Sequence, residues 1–198
     1  MPTLYYVPII HSVEDYGSLG SVIKAAFSEK KRMVFDNLQK DILEYWQIVE
    51  KRIDEAIPDV RGLVMYQDSL PVGDREKILT LFRHLCKDHP GSPNFRLVKK
   101  LINNGAVLTG TEDMNLVMKQ WNIYQRAVET PSIVEHREIL DEPRVRSDKI
   151  TKLRDEFIAK RIRDTLPKSG KGILFIGRNH DVIGELEKLP EKFTIVYL

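Results

Sequence analysis

A single cysteine, Cys86, stands among the 198 residues. That excludes an intramolecular disulfide framework and any cysteine-rich zinc module, and it suits a reducing compartment. Long apolar runs are missing too, and none approaches the roughly 20 residues that a helix needs to cross a bilayer. The opening stretch MPTLYYVPIIH has neither a basic start nor a cleavage-site pattern. The expectation is therefore a cytoplasmic protein with no membrane partner. Charge of one sign is also lacking, with 31 Lys and Arg against 29 Asp and Glu and a net charge of +2. These charges are dispersed rather than striped, so phosphate neutralisation gives no ground for a nucleic-acid partner. Internal repeats and low-complexity stretches are absent.

What is there is a globular composition, 42% hydrophobic and 30% charged. The length fits one domain with a full core, taken as residues 1–198. Leu4 to Ile10 is a short apolar run ended by His11 and Ser12, and it reads as a buried strand. Val34, Leu38, Ile42, Trp46, Val49, Ile53 and Ile57 then recur every three or four residues, a helical stripe within 18–57 that Pro58 stops. A second strand is expected from Arg61 to Tyr66, delivering Gln67, Asp68 and Ser69 to its end. After a helix at Asn94 to Ile102, a third strand at Ala106 to Leu108 leads into Thr109 to Asp113, and Met114 to Val128 reads as a helix. The charged, proline-flanked stretch from Pro131 to Asp148 is expected to be a mobile lid or connecting segment. Ile150, Leu153, Phe157, Ile158, Ile162 and Leu166 mark an amphipathic helix, followed by the strand Gly172 to Ile176, the turn Gly177 to Asp181, a short helix and a last strand from Phe193 to Tyr197.

Strands separated by crossover helices predict an α/β fold, a mainly parallel sheet flanked by helices. Its carboxyl ends then share one edge, where ligands bind in open α/β sheets. His11, Gln67 with Asp68, Thr111 with Glu112 and Asp113, and His180 with Asp181 all fall there. Imidazole and carboxylate are the usual donors for zinc, manganese or iron, so such a group can hold a divalent metal and acidify a water. The competing reading is capping, with Asn179 and Thr111 as N-caps and Asp113 and Asp181 in first turns.

Other patterns carry less. HLCKDH places His84, Cys86 and His89 on different helical faces, and EHRE lacks the spacing that sets two imidazoles together. KSGKG precedes its strand, whereas a phosphate loop follows one. Neither a G-x-G-x-x-G fingerprint nor a G-x-S-x-G elbow occurs. Arg154 and Arg161 share a helical face with Ile158, where they can meet an anionic substrate, snorkel, or pair with acids.

In order, the motifs Pro8-Ile9-Ile10-His11, Pro58-Asp59-Val60, Arg154-Asp155 and Gly177-Arg178-Asn179-His180 resemble those of the TraB, Tiki and ChaN-like superfamily, which includes erythromycin-esterase-like proteins. Pro8 stands where that family has glycine, and Asp68, preceded by Gln67, where it has glutamate. The resemblance implies a metal-dependent hydrolase, peptidase- or esterase-like, acting on a small molecule or peptide. His11, His180 and Asp68 would hold a divalent metal (manganese, zinc or iron), Asp68 or Glu112 would serve as base, and Arg154 would steady an oxyanion. Through ChaN it also implies an alternative, a module that binds a small ligand or haem without chemistry, and a third, a degenerate member. A homo-oligomer is compatible with each.

Overall fold

The computed structural model describes residues 1–16, 29–129 and 133–198, with side chains described for 1–15, 33–122 and 148–198. Its centre is a five-stranded sheet: β1 (Thr3–Ile9), β2 (Val64–Pro71), β3 (Val107–Glu112), β4 (Lys171–Gly177) and β5 (Thr194–Tyr197), in the order β3-β2-β4-β1-β5. Every pairing is parallel. Six helices accompany it among the described residues: α1 (Glu29–Ala56), α2 (Arg75–Asp88), α3 (Pro93–Asn103), α4 (Met114–Glu129), α5 (Ile133–Thr165) and α6 (Val182–Glu187). The α/β fold with a parallel sheet is as expected.

Strand alternation sorts the core into two layers. Tyr5, Val7, Ile9, Met65, Ile173 and Phe175 pack with α1, α2 and α3. Leu4, Tyr6, Tyr66, Leu174 and Ile176 pack with α5 and α6. A sheet covered on both faces needs the near-continuous apolar runs that β1 and β4 show. Burying each of these large side chains stabilises the fold by about 1.5–3 kcal/mol.

The order also fixes where a crevice opens. From β1 to β2 to β3 the chain moves one way across the sheet, and from β3 to β4 to β5 it moves back. With crossovers of one hand, reversing direction changes the face on which the helix lies. The chain leaves β1 and β2 for the α1 and α2 layer, but it leaves β4, which lies between them, for α6 on the opposite layer. The carboxyl ends on either side of β4 therefore part.

Several sequence boundaries move. The strand expected at Arg61 to Tyr66 runs from Val64 to Pro71, so Gln67, Asp68 and Ser69 lie within it. Its register against β3 passes from Gln67↔Gly110 to Pro71↔Glu112, a bulge that gives β2 two extra residues. Ser69 takes a left-handed φ of 65° to make it. The third strand continues to Glu112, so Thr111 is in the sheet and its hydroxyl donates to the Gln67 carbonyl at 2.7 Å rather than capping a helix. Asp113 does the capping, accepting from the Asn115 N–H at 2.8 Å. Asp181, not Asn179, caps α6 through the Gly184 N–H.

In α1, Phe35, Ile42, Trp46, Val49 and Ile53 are buried, as is Ile57 just after it, while Val34 and Leu38 are exposed, so the first turns of the expected stripe miss the core. Residues 18–28 of the expected helix lie outside the described residues. From Ile133 onward, the stretch expected as a lid is the first part of α5.

Candidate functional site

At the parted strand ends lies a cavity of about 560 Å³, lined among others by His11, Asp68, Arg154, Arg178, Asn179 and His180. His11 reaches it from the tail of β1. Pro8 and Ile10 turn their carbonyls toward the β5 side, as Tyr6 does, and β5 pairs no further than Tyr6. The N–H that proline lacks would have had no strand partner on that side. Helix α1 takes over there, with the Tyr45 hydroxyl donating to the Pro8 carbonyl at 2.6 Å and the Trp46 indole N–H to the Ile10 carbonyl at 3.0 Å. His11 itself is half exposed, its Nδ1 3.9 Å from Asp15.

Asp68 reaches it from the bulge of β2. One of its oxygens accepts the Gly177 N–H of β4 at 3.1 Å, bridging the gap where the two strands separate. The other accepts from Arg154 at 3.0 Å. Burial alone raises the Asp68 carboxyl, but the charges of His180 and Arg154 and the Gly177 N–H outweigh it and hold it below the usual value.

Arg154 projects from α5 and is the hub. Its Nη2 donates to Glu112 at 2.5 Å as well as to Asp68, its Nε donates to Glu112 at 3.1 Å, and its Nη1 to Gln120 at 2.5 Å. Four of its five N–H groups are thus engaged. The two donations to Glu112 form a planar fork that a lysine could not reproduce. Glu112 is fully buried beneath it, and burial keeps that carboxyl above its usual value despite the cation.

His180 follows β4 in a turn closed by its own N–H donating to the Gly177 carbonyl at 3.0 Å. Its Nδ1 lies 2.5 Å from an oxygen of Asp155, whose other oxygen accepts the Asp181 N–H at 2.9 Å. Burial lowers the imidazole pKa, but the Asp155 hydrogen bond and the charges of Asp68 and Asp155 more than offset it, so the ring is more basic than usual. No described residue is hydrogen-bonded to Nε2.

The expected residues His11, Asp68, Arg154 and His180 therefore share one cavity, with Glu112 behind Arg154. As a metal shell the set fits poorly. Both oxygens of Asp68 and of Glu112 already accept hydrogen bonds, with the Arg154 guanidinium placed where a cation would neutralise them. Among the described residues no three His, Cys, Asp or Glu side chains are gathered to hold an ion.

Sequence reasoning gave no role to Asp155, Gln120 or Asp15. A signal for Asp155 existed. Among its described side chains, the buried face of α5 is Arg154, Asp155, Ile158, Ala159 and Ile162, so a charged pair sits on the apolar stripe. In the sequence Asp155 stands out only within the Arg154-Asp155 motif, and counting Leu153, which is 49% exposed, as part of the apolar stripe leaves the pair without a buried role.

No helix among the described residues is long and apolar enough to cross a membrane. No protein-family model matches the chain, nor does any curated protein or solved structure.

Proposed function

We propose that this cavity is a hydrolytic centre for an ester or amide bond, with His180 as the general base. The observation that carries the reading is the His180–Asp155 pair at the cavity wall. An acid on Nδ1 fixes the tautomer, orients the ring and stabilises the imidazolium. Nε2 then takes a proton from water in the cavity, and the resulting hydroxide attacks the carbonyl carbon. Arg154, with one N–H still uncommitted, donates to the developing oxyanion. As the tetrahedral intermediate collapses, His180 returns the proton to the leaving group. The order of motifs that resembles the TraB and Tiki-like superfamily favours the same class of reaction.

The test is a panel of para-nitrophenyl esters and peptide anilides, assayed with and without chelator. Expected are turnover indifferent to chelator, a rate loss of roughly 10²-fold or more in His180→Ala, and a kcat/KM that rises with pH and levels off only above the ordinary histidine pKa of about 6.5. The direction follows from the more basic ring, since the free base is the working form. Activity that disappears with chelator, together with a stoichiometric metal lost in His180→Ala, would replace this mechanism by the metal-dependent one. A panel without turnover, alongside saturable haem binding, would leave the ligand-binding module.

A further inference from the structure

We propose that the substrate carries an anionic group, a carboxylate or a phosphate, and that Arg178 at the lip of the cavity binds it. The word substrate rests on the hydrolytic reading, whereas the preference for an anion rests on how donors and acceptors are distributed.

The acids of the site face inward. Each oxygen of Asp68, Glu112 and Asp155 accepts a hydrogen bond from Arg154, Gly177, His180 or Asp181. Beside the Nε2 of His180, the charged groups left for a ligand are donors. Arg178 lines the cavity and is exposed, and no described residue pairs with it. Arg154 keeps one N–H, and Asn179, whose amide can donate or accept, lines the same space. A ligand rich in donors, such as an amine, would meet acceptors already taken and two guanidinium charges. An anion would meet the reverse, and a carboxylate or phosphate suits the planar fork of arginine.

Position also limits the length of the ligand. Arg178 and His180 belong to one turn, closed by the His180 N–H on the Gly177 carbonyl at 3.0 Å. An anion on Arg178 therefore leaves the rest of the molecule beside the imidazole, with the bond to be broken only a few atoms away.

The experiment compares mono-para-nitrophenyl adipate with para-nitrophenyl hexanoate, two esters of equal chain length that differ by the terminal carboxylate, with rates corrected for spontaneous hydrolysis. Expected is a higher kcat/KM for the adipate, and a fall in the adipate-to-hexanoate ratio of roughly tenfold to a hundredfold in Arg178→Glu, the range for hydrogen bonds to charged groups. Rising salt should shrink the same ratio. An unchanged ratio in Arg178→Glu, or a preference for the neutral ester, would overturn the assignment. Where neither ester is cleaved, the wider panel of esters and anilides decides the hydrolytic reading, and calorimetry with adipate and with inorganic phosphate decides the anion question. Binding of either that Arg178→Glu weakens tenfold or more upholds the anion site, the tighter of the two naming its chemistry, and binding of neither overturns it.

Discussion

Replacing Arg154 by methionine tests the organisation of the site most directly. Methionine keeps much of the length and removes the charge, leaving Asp68 and Glu112 buried without their shared cation. Removing one partner of a buried ion pair costs about 3–5 kcal/mol, chiefly through the charge left behind. For a chain of this length each kcal/mol lowers Tm by about 2–4 °C, so a fall of roughly 6–20 °C is expected. The pH dependence distinguishes this cause from lost packing. Without Arg154, the pKa of both carboxyls rises in the folded state. A group with a raised folded pKa gives its full stability below the unfolded value, near 4 for these acids, and loses it as pH climbs through the folded one. The variant should therefore suffer most at neutral pH and least near pH 4. In the wild type the lowered pKa of Asp68 makes its contribution disappear as pH falls, whereas the raised pKa of Glu112 works in the other direction. Urea denaturation at both pH values measures the two gaps. A deficit below about 1 kcal/mol at neutral pH, or one of equal size at both, would refute the reasoning.

Three further outcomes follow from individual contacts. A Cβ on Gly110 would lie 1.9 Å from the Pro71 carbonyl oxygen, so Gly110→Ala must push the β2 bulge aside and should cost about 3 kcal/mol or more by urea midpoint; a change under about 0.5 kcal/mol would show that the strands can part freely there. Asp155→Asn removes the main contribution raising the His180 pKa, so a histidine NMR titration should find the ring less basic than in the wild type, and an equal or higher value would contradict the pairing. Ile158, fully buried between α5 and the sheet, should cost about 2–5 kcal/mol on truncation to alanine; thermal unfolding close to the wild type would mean that the layer collapses around the gap.

The sheet was legible in the sequence because β1 and β4 are buried on both faces, and a short unbroken apolar run between polar ends has few other readings. The convergence of His11 and His180 followed from parallel strands alone. Less legible were the features made by pairing. The end of β2 depends on a bulge that exists only against β3, and Gln67, Asp68 and Ser69 look like a loop because no local pattern records a partner strand's register. Asp155 stands in the Arg154-Asp155 motif, but its pairing with His180 was not legible, for a related reason. Asp155 lies 25 positions away, and helical periodicity places it only once the stripe on α5 is aligned to its buried residues rather than to its most apolar ones.

The same pairing explains why residues that suggest a metal shell on paper need not form one. Two acids delivered to neighbouring strand ends require a cation, because a buried pair of carboxylates repels itself and loses its hydration. A divalent ion is one solution and a guanidinium another. Arginine stays charged at any accessible pH and satisfies several acceptors at once through its fork. In this chain α5 brings Arg154 onto Asp68 and Glu112 together. Arg154 spends most of its donors on these acids, so the cation that neutralises the cluster also fixes what the cavity presents to a ligand. With the carboxylates satisfied from within, the charges left facing a ligand are guanidinium groups, beside the Nε2 of His180.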